Sequence, residues 1–134
     1  MIRLSRLTDY GIVVMSHIAA GGDSIVTARE LADRSRLPLP TVSKVLKLLA
    51  KGELIESHRG VNGGYRLARN PEEICVTDMI DALEGPIAIT NCAGETEHCL
   101  YDQHCPVKAH GPKINLVVRN ALSQLTLNDL RSPL

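Results

Sequence analysis

The chain of 134 residues predicts a mainly α fold with a small β-hairpin. Three observations predict it. Apolar residues recur at helical spacing in successive segments. Two short β-type runs within residues 54–68 are joined by a connection rich in Gly and Asn-Gly. Phe and Trp are absent and Tyr numbers three, so the core must be Leu, Ile, Val, Ala and Met. That bias favours helices packed through aliphatic ridges. The length suits one ordinary domain, or a small domain with an appendage.

The elements follow in order. Thr8 is expected to cap a helix running to Ala20, with Ile12, Val13, Met15, Ile18 and Ala19 inward, and Gly21-Gly22 ends it. Ser24-Ile25-Val26 reads as a short β-rich piece. TARE at 27–30 is a capping box, in which Thr27 accepts from the first turn and Glu30 reaches back. The helix it opens spans Ala28 to about Ser35, with Leu31 and Ala32 inward. Leu37-Pro38-Leu39-Pro40 is a turn, and Pro40 suits the start of a helix. That helix, from about Pro40 to Lys51, buries Val42, Val45, Leu46 and Leu49, and Gly52 closes it.

Two helices joined by a tight turn form a helix-turn-helix. Leu54–His58 and Gly64–Ala68 then pair as a hairpin around Arg59-Gly60-Val61-Asn62-Gly63. A helix-turn-helix followed by a basic hairpin is a winged helix. Thr77 caps a further helix, Asp78–Glu84, with Met79, Ile80 and Leu83 inward and Gly85 at its end. A long polar loop opens at Pro86. A last helix, about Lys113 to Leu125, carries Ile114, Val117, Val118, Ala121, Leu122 and Leu125 as a wide apolar stripe. The expected organisation is a winged helix-turn-helix domain over 1–85, a cysteine-containing loop over 86–112, and a long C-terminal dimerisation helix with its tail over 113–134.

Charge is segregated. Residues 1–70 hold eleven Lys/Arg and six Asp/Glu, a net of +5, while residues 71–134 hold four and nine, a net of −5. A basic front end suits a polyanion. The polar face of the second helix of the pair offers Thr41, Ser43, Lys44, Lys47 and Lys51, and the hairpin adds Arg59 and Arg66. Hydroxyls and cations in the first turns of such a helix reach base edges and phosphates, and an arginine at the wing tip reaches a minor groove or phosphates. Double-stranded DNA is therefore the expected partner. One helix-turn-helix makes few base contacts, so a homodimer on two half-sites is expected, with the 114–125 stripe as its seam.

No signal peptide opens the chain, and no apolar stretch approaches the length of a membrane span. The expected location is the cytoplasm, where thiols stay reduced. Phosphate-binding glycine loops, nucleophile elbows and paired carboxylates are missing from the sequence, so an enzyme is not expected.

Three of four cysteines, Cys92, Cys99 and Cys105, fall in CAGETEHCLYDQHC with the spacing C-x6-C-x5-C. The paired C-x2–4-C of common zinc sites is absent. Four uses remain open: an iron–sulfur cluster, a zinc site completed by His98, His104 or His110, thiol-based redox sensing, or no role. Cys75, between Ile74 and Val76, reads as a buried small hydrophobe.

MIRLSRLTDYG at the start, the helix at 40–51, RGVNGGYRLAR in the wing, VTDMIDALEGP, the three-cysteine loop and the closing LTLNDL together resemble the iron–sulfur and redox-responsive winged-helix regulators of bacteria, the family of IscR, NsrR and RirA. VTDMIDALEGPIAITNC is also similar to the branch that regulates SUF cluster-assembly operons. The resemblance implies a cluster-sensing transcription regulator, a homodimer, and Cys92, Cys99 and Cys105 as cluster ligands. Such members place a histidine three residues after the last cysteine, and here that residue is Lys108, a poor ligand. This favours a four-iron over a two-iron cluster, with a fourth ligand from the partner's Asp9 or from His110. Asp9 equally fits a charge complementing its own helix dipole. The alternatives are a regulator of the same fold sensing through thiol oxidation or zinc, and a small cluster-carrier protein.

Overall fold

A computed structural model describes residues 3–94, 99–101 and 103–131. Six α-helices and one antiparallel hairpin occur among them: α1 (Arg6–Ala20), α2 (Ala28–Ser35), α3 (Leu39–Lys51), β1 (Ile55–His58), β2 (Gly64–Leu67), α4 (Val76–Glu84), α5 (His110–Ser123) and α6 (Leu127–Arg131). The mainly helical class with a small hairpin is as expected.

Helix α1 starts earlier than its sequence suggests. Ser5, not Thr8, is the N-cap, and its Oγ accepts from the Thr8 backbone N–H at 3.2 Å. Thr8 is instead fully buried and donates its hydroxyl to Glu84 at the end of α4. Glu84 Oε1 also accepts from the Ser5 backbone N–H at 3.1 Å. The inward face is Gly11, Val14, Met15 and Ile18, which follows i, i+3, i+4, i+7. Val13 lies about 100° around the helix from Val14 and is exposed, a correction to its expected inward placement. A Cβ at Gly11 would collide with Leu83, so glycine sets how closely α1 approaches α4.

The capping box of α2 forms as expected, with Glu30 N donating to Thr27 Oγ1 at 3.1 Å and Thr27 N donating to Glu30 Oε2 at 3.0 Å. Val42, Val45, Leu46 and Leu49 of α3 are fully buried. The hairpin pairs Ile55 with Leu67, Glu56 with Arg66, Ser57 with Tyr65 and His58 with Gly64. The expected β-rich piece at 24–26 reduces to a single bridge, Val26 to Tyr65, with bonds of 2.9 and 2.7 Å. Gly64, at φ +156°, is required by that bridge: a Cβ there would sit 2.6 Å from the Val26 carbonyl oxygen.

Helix α4 is capped by Cys75 rather than Thr77. Asp78 Oδ2 accepts from the Cys75 N–H at 3.0 Å and from its thiol at 3.2 Å. Cys75 is half-buried at a helix start, a correction to the buried hydrophobe expected there. Thr77 is buried and donates to the Arg119 carbonyl at 3.4 Å.

Helix α5 begins at His110, three residues before its expected start at Lys113, so Gly111 and Pro112 form its first turn. Proline is tolerated there because first-turn N–H groups have no helical acceptor. The apolar stripe divides. Val118 and Leu122 are half-buried toward the body, while Ile114, Val117 and Leu125 are exposed, Val117 at 68%. Arg119 holds α5 to α4 by a two-pronged pair with Asp81, at 3.1 and 2.7 Å. After α5 the chain turns back. Leu127 N donates to the Ile74 carbonyl at 2.8 Å, and the Leu127 side chain is fully buried in the main core. No helix among the described residues is long and apolar enough to cross a membrane.

Candidate nucleic-acid interface and thiol loop

Helix α3 presents two opposed faces. Val42, Val45, Leu46 and Leu49 anchor one to the core, which turns Ser43, Lys44, Lys47 and Lys51 outward, all exposed, with Thr41 half-buried. Arg59 is exposed at the hairpin tip. There Gly63 is close-packed: a Cβ would lie 2.9 Å from the Gly60 carbonyl oxygen. Lys44, Lys47, Lys51 and Arg59 have no ion-pair partner among the described residues, so their charge is directed to solvent. Arg66 differs. Its Nε donates to Glu56 Oε2 across the hairpin at 3.1 Å, so its cation is already balanced. The structure thus leaves the α3 residues and Arg59 as exposed cations and hydroxyls, and ties Arg66 into the sheet.

Two residues beside this face are not evident from sequence. Arg36, at the turn between α2 and α3, adopts the left-handed conformation (φ 58°, ψ 26°) and is exposed. Leu39, the first residue of α3, is also exposed. The Pro38 and Pro40 that flank Leu39 were the available signal.

The thiol loop connects α4 and α5. Cys92 sits in a short turn, Asn91–Ala93, with its Sγ 3.2 Å from Thr90 Oγ1. It rests against the first turn of α5: a Cβ on Gly111 would collide with the Cys92 sulfur and come within 2.6 Å of Thr90 Oγ1. Ile89 N donates to Asn115 Oδ1 at 3.2 Å and ties the start of the loop to α5. Cys92, Cys99 and Cys105 are half-buried and form no disulfide among the described residues. His104 and His110 are exposed, as is Asp9 on the first turn of α1, and His98 lies outside the described residues.

Three soft thiol donors on one loop are the right chemistry for an iron–sulfur centre. Among the described residues no three His, Cys, Asp or Glu side chains converge on a common point.

Burial alone would push the Glu84 carboxyl up, but the hydrogen bonds from Ser5 and Thr8 outweigh it and leave the group below its ordinary value. The hydrogen bond to Asp81 raises the Arg119 guanidinium above its own. Both polar links join α4 to a neighbouring helix.

The family model of Rrf2, described as iron-dependent transcriptional regulator, matches residues 4–133. The HTH-type transcriptional regulator NsrR of Bacillus licheniformis is 30% identical over 131 residues, covering 96% of this chain and 92% of that protein. The HTH-type transcriptional regulator BadM of Rhodopseudomonas palustris is 39% identical over 83 residues, covering 62% of this chain and 53% of that protein. Among solved structures, CymR (YrzC), the global cysteine regulator of B. subtilis, superposes with a TM-score of 0.77 at 27% identity, covering 98% of this chain and 97% of that one.

Proposed function

Because the chain belongs to the Rrf2 family of iron-dependent transcriptional regulators, we propose that it binds an operator as a homodimer and senses through its 92–105 thiols. The observation that carries the reading is the exposed face of α3, where Ser43, Lys44, Lys47 and Lys51 face solvent, as Arg59 does at the hairpin tip, with no ion-pair partners among the described residues. Cations so placed displace counterions from phosphates, and Ser43 and Thr41 offer hydroxyls to base edges. The exposed Ile114, Val117 and Leu125 supply a seam for a second copy, which places two α3 helices on two half-sites.

Cys92, Cys99 and Cys105 are the residues to hold an iron–sulfur cluster, of four irons in preference to two, with Asp9 of the partner subunit or His110 as the remaining ligand. When bound, such a group supplies a centre whose integrity depends on iron and on oxidants. What the chain itself does is mechanical. Cys92 seats on Gly111, so the arrangement of the thiols bears on the first turn of α5. Arg119 and Thr77 pass that displacement to α4, and half-site spacing changes with it. Control of cluster-assembly genes is the matching biological role.

A second reading has its own support: among the described residues no three donors converge, and a solved neighbour is named a cysteine regulator. In it the thiols sense directly, by oxidation and without iron. Native mass spectrometry of anaerobically purified protein separates the two. A dimer carrying iron and sulfide, with operator affinity that differs from the apo protein, supports the first. An iron-free dimer whose affinity responds to thiol oxidants supports the second. Equal affinity of all forms for every duplex would refute both.

A further inference from the structure

We propose that Leu39 reads a thymine 5-methyl group in the major groove, giving this helix-turn-helix an apolar base contact beside its polar ones. The inference rests on the DNA-binding reading and names a specificity residue within it. Four observations lead to it.

The first is the row that Leu39 occupies. Leu39, Ser43 and Lys47 are spaced i, i+4, i+8 and so share one line along α3, the line that faces solvent. Leu39 is therefore aimed where the hydroxyl and the cation are aimed. Second, it is the exception in its helix. Val42, Val45, Leu46 and Leu49 are fully buried and Leu48 is half-buried, while Leu39 is 39% exposed at the N-terminal end. It fills no part of the core, so packing does not account for it.

Third, its frame is stiff. Pro38 precedes it at φ −59°, ψ 138°, and Pro40 follows in the first turn. Proline rings lock φ on both sides, so little backbone freedom is lost when the leucine is held against a surface. Fourth, its neighbours are cationic. Leu39 lines a shallow cleft with two arginines, Arg29 and Arg36, against one carboxylate, Asp33, and neither arginine has an ion-pair partner among the described residues. Arg36 holds the left-handed conformation to stand there, a strained choice for a residue with a Cβ.

An apolar tip flanked by unpaired guanidinium groups fits a surface whose apolar group lies beside phosphates. The major-groove edge of thymine has that character, because its C5 methyl is the apolar feature among the four base edges and the backbone borders it. Charge complementarity thus selects DNA as the occupant. A protein partner offering an apolar patch would need acidic groups on both sides.

The test uses the full-length protein and the duplex that the wild type enriches from a randomised pool. Each thymine is replaced in turn by deoxyuridine, which differs from it by the missing methyl, and affinities are read by fluorescence anisotropy. At one position per half-site, the replacement is expected to cost the wild type about fourfold, the weight of one buried carbon group. The same replacement is expected to cost Leu39→Ala nothing, and Leu39→Met, which keeps an apolar tip, to retain part of the sensitivity. Circular dichroism melts within a few degrees of wild type confirm that both variants fold, as the exposed site implies. If every thymine replacement costs wild type and Leu39→Ala alike, or none costs anything, the proposal is overturned while DNA binding stands. If the wild type enriches no duplex at all, the DNA-binding reading falls with it.

Discussion

Replacing Arg36 by glycine should make the protein more stable and a weaker DNA binder at once. Arg36 closes α2 in the left-handed region at φ 58°. A residue with a Cβ spends about 1 kcal/mol or more in that region, and glycine does not. Glycine also frees the unfolded chain, which takes back about 0.5 kcal/mol. Arg36 is exposed and has no ion-pair partner among the described residues, so its side chain contributes little to the fold. The net gain is about 0.5 kcal/mol, or roughly 2 °C in melting temperature for a chain of this size. On DNA the same change removes one cation beside the start of α3. If that cation meets a phosphate, the slope of log affinity against log salt flattens by about 0.9 per protomer, near 2 for a dimer. Differential scanning fluorimetry reads the first quantity. Anisotropy titrations between 50 and 200 mM salt, the range over which such slopes are resolved, read the second. A melting temperature that falls would show that Arg36 supports the turn rather than straining it. An unchanged slope would show that the turn does not meet the backbone.

Lys47→Ala should weaken binding evenly across sequences and flatten the salt slope by about one unit per protomer, whereas Thr41 or Ser43 substitutions should alter sequence preference. A Lys47→Ala variant that changed preference but not slope would move Lys47 from phosphate to base. Leu127→Ala should cost about 3 kcal/mol because the side chain is fully buried in the core, and a melt lowered by roughly 10 °C would register it; a drop of a degree or two would mean that α6 is not docked. Glu84 has a folded value below its unfolded 4.5, so its contribution is complete above about pH 4.5 and is lost as pH falls through the lower folded value. The melting-temperature gap between wild type and Glu84→Gln should therefore narrow from pH 5.5 to pH 3.5, and a constant gap would show that the ionised carboxylate is not what holds α1.

The parts legible in the sequence are those decided within one or two turns of chain. Thr27 and Glu30 satisfy each other's backbone three residues apart, and nothing distant competes. The hairpin likewise follows from two β-type runs joined by a short Gly- and Asn-Gly-rich connection. Misreadings arise where a local signal meets a stronger distant partner. Thr8 is a good cap by type, but Glu84, 76 residues away, takes its hydroxyl and leaves capping to Ser5. Thr77 loses the same contest to the carbonyl of Arg119. The apolar stripe of α5 looked continuous because composition records hydrophobicity and not direction. Long-range links, chiefly the Arg119–Asp81 pair and the Thr77 and Asn115 bonds, set which half faces the body. At the site, the exposed face of α3 could be read because burying Val42, Val45, Leu46 and Leu49 fixes what remains outside. The left-handed Arg36 had no signature, since arginine carries no preference for that conformation. The three thiols declare themselves by spacing, but their convergence does not, because a loop of polar residues is arranged by whatever it binds.

The links between the thiol loop and the proposed DNA face also bound how strong any regulation can be. Cys92 bears on α5 through Gly111, α5 on α4 through Arg119–Asp81, and α4 on α1 through Glu84. The Arg119–Asp81 pair is about a third exposed on both sides, at 39% and 30%, so it belongs with surface pairs worth up to about 1 kcal/mol. Its forked geometry puts it at the upper end of that range. The bond from Thr77 adds a similar amount, and Ile89 to Asn115 again as much. A change at the thiols that broke all three would release about 3 kcal/mol, roughly a hundredfold in operator affinity. More than that would have to come from the proposed seam between two copies, where Ile114, Val117 and Leu125 lie exposed. Regulation far steeper than a hundredfold would therefore place the switch in the dimer interface, and regulation within it places the switch in the contacts between α5 and the rest of its own chain.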